Sequence, residues 1–400
     1  MPMISQTQAT FAPPIPEARR WVTGIDFPPG RPLIDLSQAA PADPPPAPLR
    51  AALAEALEDP AAHLYGAVLG NTDLRAALAE NWAAHYGAPV RADQVAITSG
   101  CNQAFAAAIS ATVGQGAAVM LPVPWYFNHK MWLDMAGIDT VPLPTTNALL
   151  PDMDAARALM TPDVRAIAIA SPNNPAGVEY PPAVLDALYD LARAHDAKLI
   201  VDETYRDFHS QPGAPHGLLQ RAGWDQTLIQ LYSFSKAYRL TGHRVGAMIA
   251  APDTLREVEK FIDTVTICPG QLGQRAALFG LQNLGDWLAG ERLEILARRA
   301  AIETGMAKIA PIGWRLRGLG AYFAYLEHPF AAPSDRVAPD LVREAGILML
   351  PATMFVPTGD ASGARHLRLA FANADVATLA TVFDRLAGLD WPLAEPARAD

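Results

Sequence analysis

The sequence predicts an α/β fold: a large domain built on a mostly parallel seven-stranded sheet, followed by a smaller α+β domain. Three observations predict it. From Val95 onward, seven short β-prone runs alternate with Ala- and Leu-rich helical stretches, the rhythm of strands joined by crossover helices. Several of those runs are apolar throughout, as strands covered on both faces are. After Pro311 the order changes to clustered strand-like pieces and helices, which marks a second unit.

Residues 1–50 are rich in Pro and Ala and read as an arm lying over a surface, with one short strand near Leu33–Leu36. Leu49–Glu58 has helical periodicity. Thr72–Tyr86 is a second helix, with Thr72 as its N-cap and Leu74, Ala77, Leu78 and Trp82 as its apolar positions. The strand runs are Val95–Thr98, Ala118–Leu121, Thr140–Leu143, Ala166–Ala170, Lys198–Asp202, Thr227–Leu231 and Val245–Ala250. Ala251–Ile267 and Leu281–Ile309 read as long helices. Trp314–Arg317 and Tyr322–Leu326 read as strands, Ala338–Glu344 as a helix, Leu367–Phe371 as a strand and Asp375–Ala387 as the last helix. The expected division is an N-terminal arm with part of the small domain over 1–48, a large domain over 49–284 and a small C-terminal domain over 285–400. No internal repeat occurs, and Ala40–Pro48 is the one low-complexity stretch.

The chain has 400 residues, half of them hydrophobic, which is ample for a large buried core. Its net charge of −10 does not suit a nucleic-acid phosphate backbone. Cys101 and Cys268, the only cysteines, have neither disulfide-framework nor metal-ligand spacing, so no metal is expected and a reducing compartment is. Met1–Pro14 lacks the charged and apolar regions of a signal peptide. Val95–Met120 is apolar but broken by Ser, Asn, Gln and three glycines, so it is not read as a membrane span. The expectation is a cytoplasmic enzyme without membrane or nucleic-acid partners.

Only five lysines occur, which matters because a carbonyl cofactor is captured by a lysine amine. Lys130, Lys198, Lys260 and Lys308 read as solvated charges. Lys236 differs. It follows the apolar run Thr227–Leu231 in the stretch Tyr232-Ser-Phe-Ser-Lys-Ala-Tyr-Arg-Leu-Thr-Gly-His-Arg-Val-Gly246. Loops at the C-terminal ends of strands are where α/β sheets place ligands. Ser233, Ser235 and Arg244 surround this lysine with anion-binding groups. The chemistry is that of an amine beside a phosphate site, or else of an exposed basic loop.

With these residues in hand, the chain from about Asp35 to Phe371 resembles the class I/II aminotransferases, the fold-type I enzymes of pyridoxal 5′-phosphate (PLP). Ser-Phe-Ser-Lys236 with Arg244 resembles the family's Schiff-base lysine and phosphate-binding arginine. Asp202-Glu-Thr-Tyr205 resembles its D-E-x-Y motif. The resemblance implies that Asp202 keeps the pyridine nitrogen protonated and that Tyr205 hydrogen-bonds the ring 3′-oxygen. Ser171-Pro-Asn-Asn174-Pro-Ala-Gly177 is similar to the N-N-P-T-G turn, with Ala176 in place of Thr, and implies that Asn174 bonds the same oxygen. Gly100 and Cys101, at a strand-to-helix turn, match the phosphate-binding pair. Pro122-Val-Pro-Trp-Tyr126 matches the segment carrying the aromatic that stacks on the ring. Alignment on Pro124 selects Tyr126, with Trp125 the alternative one residue away. Arg368 in His366-Leu-Arg-Leu-Ala-Phe371 matches the arginine that grips the substrate α-carboxylate. Tyr65, five residues before Gly70 and followed by Leu74-Arg75, matches the tyrosine that reaches the neighbouring subunit's phosphate, which implies a homodimer.

The resemblance implies ping-pong transamination between an L-amino acid and a 2-oxo acid, with Lys236 as proton shuttle. Related chemistries on the same motifs are β- or γ-eliminating lyases and cyclopropane-forming synthases. A non-catalytic PLP-binding domain is a third reading, but no basic helix-turn-helix precedes the motifs. Departures concern the substrate. Ala39 or Ala40 stands where the family has Gly, Pro351-Ala-Thr-Met-Phe355 replaces P-G-S-x-F, and Asn102 stands where one aspartate subgroup has a distal-carboxylate lysine.

Overall fold

A computed structural model describes residues 5–394. The large sheet joins β2 (Val95–Thr98), β3 (Ala118–Pro122), β4 (Asp139–Leu143), β5 (Val164–Ala170), β6 (Lys198–Asp202), β7 (Leu228–Ser233) and β8 (Gly246–Ile249), after a short β1 (Ile34–Asp35) in the arm. Its order is β2-β8-β7-β6-β5-β3-β4, and every pair is parallel except those made by β8. The apolar runs are explained by burial on both faces. In β6, Leu199 and Val201 enter one core while Ile200 enters the core on the opposite face. The chain is α/β with the mostly parallel seven-stranded sheet that its sequence predicts.

A second core gathers around β9 (Arg315–Gly320), β10 (Phe323–Glu327), β11 (Ile347–Leu348), β12 (Leu350–Pro351) and β13 (His366–Ala370). Four of these form an antiparallel sheet in the order β12-β13-β10-β9. β11 instead pairs in parallel with β1, Ile34 opposite Ile347, so the arm is built into the same body as the C-terminal strands. Helices Gly285–Ile309 and Val376–Ala387 cover it. They approach closely because Gly305 has no side chain: a Cβ there would lie 2.1 Å from the Phe383 ring. None of the described helices is long and apolar enough to cross a membrane.

Three local expectations are corrected. The arm carries a helix at Pro14–Arg20, opened by proline at its first position, where the missing N–H costs no hydrogen bond. The long helix expected over Leu281–Ile309 is two, Gln271–Asn283 and Gly285–Ile309. Leu284 turns to φ −116°, ψ 25° and buries its side chain at the break. The helix Thr72–Tyr86 is capped by Asn71 rather than Thr72, and by backbone alone.

Candidate active site

Parallel strands β5, β6 and β7 release their chains at one edge of the sheet, and a cavity of about 250 Å3 lies there. Cys101, Tyr126, Asn174, Asp202, Tyr205, Ser233, Lys236, Arg244 and Arg368 all line it. Thus residues spread over 268 positions of sequence meet in one place, which motif order alone does not guarantee.

Lys236 sits in a one-turn helix, Phe234–Ala237, that continues β7, with Ser233 as N-cap. Its Nζ donates to the Ala39 carbonyl. Burial, then the charges of Arg244 and Arg368, lower its pKa to about 8. Asp202 ends β6 and is 5% exposed. Its Oδ1 accepts from Thr204 N at 2.9 Å. His129 Nε2 lies 3.2 Å from Oδ2, close enough for a charge contact but off the line of a good hydrogen bond. Burial alone would raise the Asp202 pKa; His129 and Thr204 outweigh it and hold the carboxyl below its ordinary range. A buried ionised carboxylate therefore faces the cavity. His129 was not visible in the sequence. It stacks on Phe105 at 3.9 Å between ring centroids, and its one local signal is helical spacing from Tyr126.

Arg368 on β13 is 2% exposed. Its Nη1 donates to Asn174 Oδ1 at 3.0 Å, its Nη2 donates to the Ser37 carbonyl, and its Nε has no partner. Burial lowers its pKa to about 10, so it stays a cation at neutral pH. No carboxylate pairs with it among the described residues, and a buried cation in that condition calls for an anionic ligand. Tyr205 is held by the rings of Tyr322 and Phe323, and burial raises its pKa well above the usual range, which keeps the phenol protonated.

Gly100 precedes helix Cys101–Thr112 at φ 88°, and a Cβ there would lie 2.4 Å from Arg244 Nη2. Only glycine lets that guanidinium close over the helix N-terminus, where free N–H groups favour an anion. The Ser233 hydroxyl stands beside this cup. Of the two aromatic candidates, Tyr126 reaches the cavity, with its hydroxyl accepting from Asn128 Nδ2 at 2.8 Å. Trp125 is 4% exposed within the core. Tyr65 does not reach the cavity of its own chain; it is 79% exposed, beside Leu64 at 67%.

This donor set fits PLP: a cationic cup for phosphate, a buried carboxylate, an aromatic wall and an amine with a lowered pKa. The description "Aminotransferase class I and II" matches the sequence as a family model over residues 31–386. The chain belongs to the class I and II aminotransferase family. The aminotransferase is 27% identical to the aspartate/prephenate aminotransferase of Thermus thermophilus over 322 residues, 78% of this chain and 79% of that one. It is 29% identical to the valine–pyruvate aminotransferase of Mycobacterium tuberculosis, over 85% and 87% of the two chains. Its structure is similar to aspartate aminotransferase from Thermus thermophilus with maleate, at TM-score 0.86 and 25% identity, covering 97% of this chain and 99% of that one. The enzyme is a fold-type I, PLP-dependent aminotransferase acting on amino acids and 2-oxo acids.

Proposed function

We propose that transamination runs in the β5–β7 cavity with Lys236 as covalent anchor and proton carrier, and that amino acids with neutral side chains are preferred. One observation carries the reading: the Lys236 amine shares its cavity with two guanidiniums, whose charges act on it, and with a buried carboxylate. When bound, PLP supplies an aldehyde that captures amines and a ring that accepts electrons from the substrate Cα. Arg244, Ser233 and the backbone N–H groups at Gly100–Cys101 hold the phosphate. Tyr126 would cover the ring face, and Asp202 would accept a hydrogen bond from the ring nitrogen. Asn174, its Oδ1 occupied by Arg368, offers its NH2 to the ring 3′-oxygen alongside the Tyr205 phenol. Arg368 takes the substrate α-carboxylate in its planar fork. Lys236 Nζ, freed when the substrate amine takes its place, would carry the proton that leaves the substrate Cα.

The side-chain preference follows from charge. The cations lining the cavity are Lys236, Arg244 and Arg368, and each has a use already. Ile15, Phe127, Asn102 and Asn128 offer apolar and amide surface instead. Arg19 bonds the Gln38 side chain at the rim but is solvent-exposed. The relatives act as aminotransferases by name, which favours transamination over elimination. We also infer a homodimer, supported by the exposed Leu64 and Tyr65, and a cytoplasmic location, supported by two unpaired cysteines. The division at 49 and 285 is part of the same proposal, supported by Leu49 and Leu284 packing in one core and Leu36 and Ile295 in the other.

Single amino acids should convert the PLP form to the pyridoxamine form, with matching oxo acid released. Lys236→Ala should lower turnover by roughly a hundred- to ten-thousandfold, the usual share of a positioned acid–base group, or more; near-native turnover would overturn the assignment. Higher kcat/KM with aspartate or glutamate than with any neutral amino acid would overturn the side-chain preference alone.

A further inference from the structure

Two loops carry the proposed donors to the ring 3′-oxygen. One is the turn after β5, with Asn174; the other follows β6, with Tyr205. A single carboxylate outside the cavity ties them together. Glu179 Oε1 accepts from Ser210 N at 2.7 Å, and its Oε2 accepts from Ser210 Oγ at 2.6 Å. His209 Nδ1 lies 3.5 Å from the same Oε2. From the other side, Arg292 of helix Gly285–Ile309 donates to the carbonyls of His209 and Ser210, both at 2.7 Å. The peptide at 209–210 is thus held by a carboxylate on its N–H side and a guanidinium on its carbonyl side.

Each loop is stiff between its clamp residue and its cavity residue. In the first, Asn173 N donates to Val178 O at 2.8 Å, Ala176 N to Asn173 Oδ1 at 2.9 Å, and Tyr180 N to Ser171 Oγ at 3.1 Å. Glu179 therefore moves with Asn174. In the second, Phe208 N donates to Tyr205 O at 3.0 Å, and the rings of Tyr205 and Phe208 both pack on Tyr322. Ser210 therefore moves with Tyr205. Burial alone would raise the Glu179 pKa, but the His209 and Ser210 contacts override it and hold the carboxyl at about 2, so the clamp is charged across the working pH range.

We propose that Glu179 is a positioning residue that sets the spacing of Asn174 and Tyr205, and through them the hold on the cofactor's 3′-oxygen. This rests on the reading of those two residues as its donors. Without the clamp each loop keeps its internal bonds and its root in the β5–β6 ladder, but loses this tie to the other beyond the ladder.

The test compares Glu179→Gln and Glu179→Ala with Asn174→Ala and Tyr205→Phe. Two readouts apply: the PLP dissociation constant of the apoenzyme, and the pH midpoint at which the visible band of the holoenzyme changes. Glu179→Gln keeps the shape of the side chain and guards against misfolding. Loss of about one hydrogen bond's net worth should weaken PLP binding roughly three- to tenfold and raise the midpoint by several tenths of a pH unit. The Glu179 variants should shift in the same direction as Tyr205→Phe. If they lose only thermal stability, with binding and midpoint native while the other two variants shift, Glu179 is an ordinary staple and the proposal falls. If Asn174→Ala and Tyr205→Phe themselves shift nothing, the donor assignment falls and takes the clamp with it.

Discussion

Burial, and then the charges of Arg244 and Arg368, bring the Lys236 amine from an ordinary 10.5 down to about 8. An amine attacks a carbonyl only without its proton, and below the pKa that form grows about tenfold per pH unit. Capture of PLP by the apoenzyme, followed by stopped-flow absorbance, should therefore accelerate through neutral pH and level off above about pH 9. A rate still climbing at pH 10 would mean that the lysine keeps its ordinary pKa. Asp202 works in the opposite sense: His129 and Thr204 offset the burial that would otherwise protonate it, so it remains an acceptor below the pH where a bare buried acid would titrate.

Strand alternation gives β6 its two roles. Asp202 faces the cavity, while the next residue, Glu203, is buried behind the sheet. There Glu203 accepts from Tyr86 OH at 2.6 Å and Gln230 Nε2 at 2.7 Å, and His216 Nε2 lies 2.9 Å away. This anchors the end of the strand from the side opposite the chemistry. Helices Gly285–Ile309 and Val376–Ala387 depend instead on an absent side chain. Gly305→Ala would drive a Cβ into the Phe383 ring, an aromatic that is fully buried and has little room to yield. Overpacking of this kind costs roughly 1–3 kcal/mol, more than the helix-propensity gain of about 1 kcal/mol from removing glycine. Calorimetry should show a lower unfolding midpoint; a higher one would mean that the two helices part without cost.

For the whole molecule, the proposed homodimer would set the exposed Leu64 and Tyr65 where a second copy completes the site. In that proposed dimer, Lys236→Ala and Tyr65→Ala would each impair a different half of a shared site. Mixed and refolded together, they should regain activity, since one of the two sites in a hybrid dimer carries both native residues. No recovery, in a mixture that sedimentation shows to contain hybrids, would place Tyr65 outside the neighbouring site.

The motifs around Lys236, Asp202, Asn174 and Arg368 were legible because each is local. A strand end, a turn or a capped helix brings its own signal within a few residues. The alternating rhythm likewise determined the α/β class, because strands buried on both faces must be apolar throughout. Three things were not legible. Composition hid the arm helix, since proline reads as a breaker unless its position at the helix start is known. The choice of Tyr126 over Trp125 turns on one residue of register, which only packing fixes. His129 meets Asp202, and Glu179 meets Ser210, across 73 and 31 positions. By itself the sequence determined which chemical groups the chain carries and the class of sheet that displays them. Tertiary structure decided which groups meet, and so which acid is ionised and which amine gives up its proton more readily, because pKa values answer to burial and neighbouring charge rather than to order along the chain.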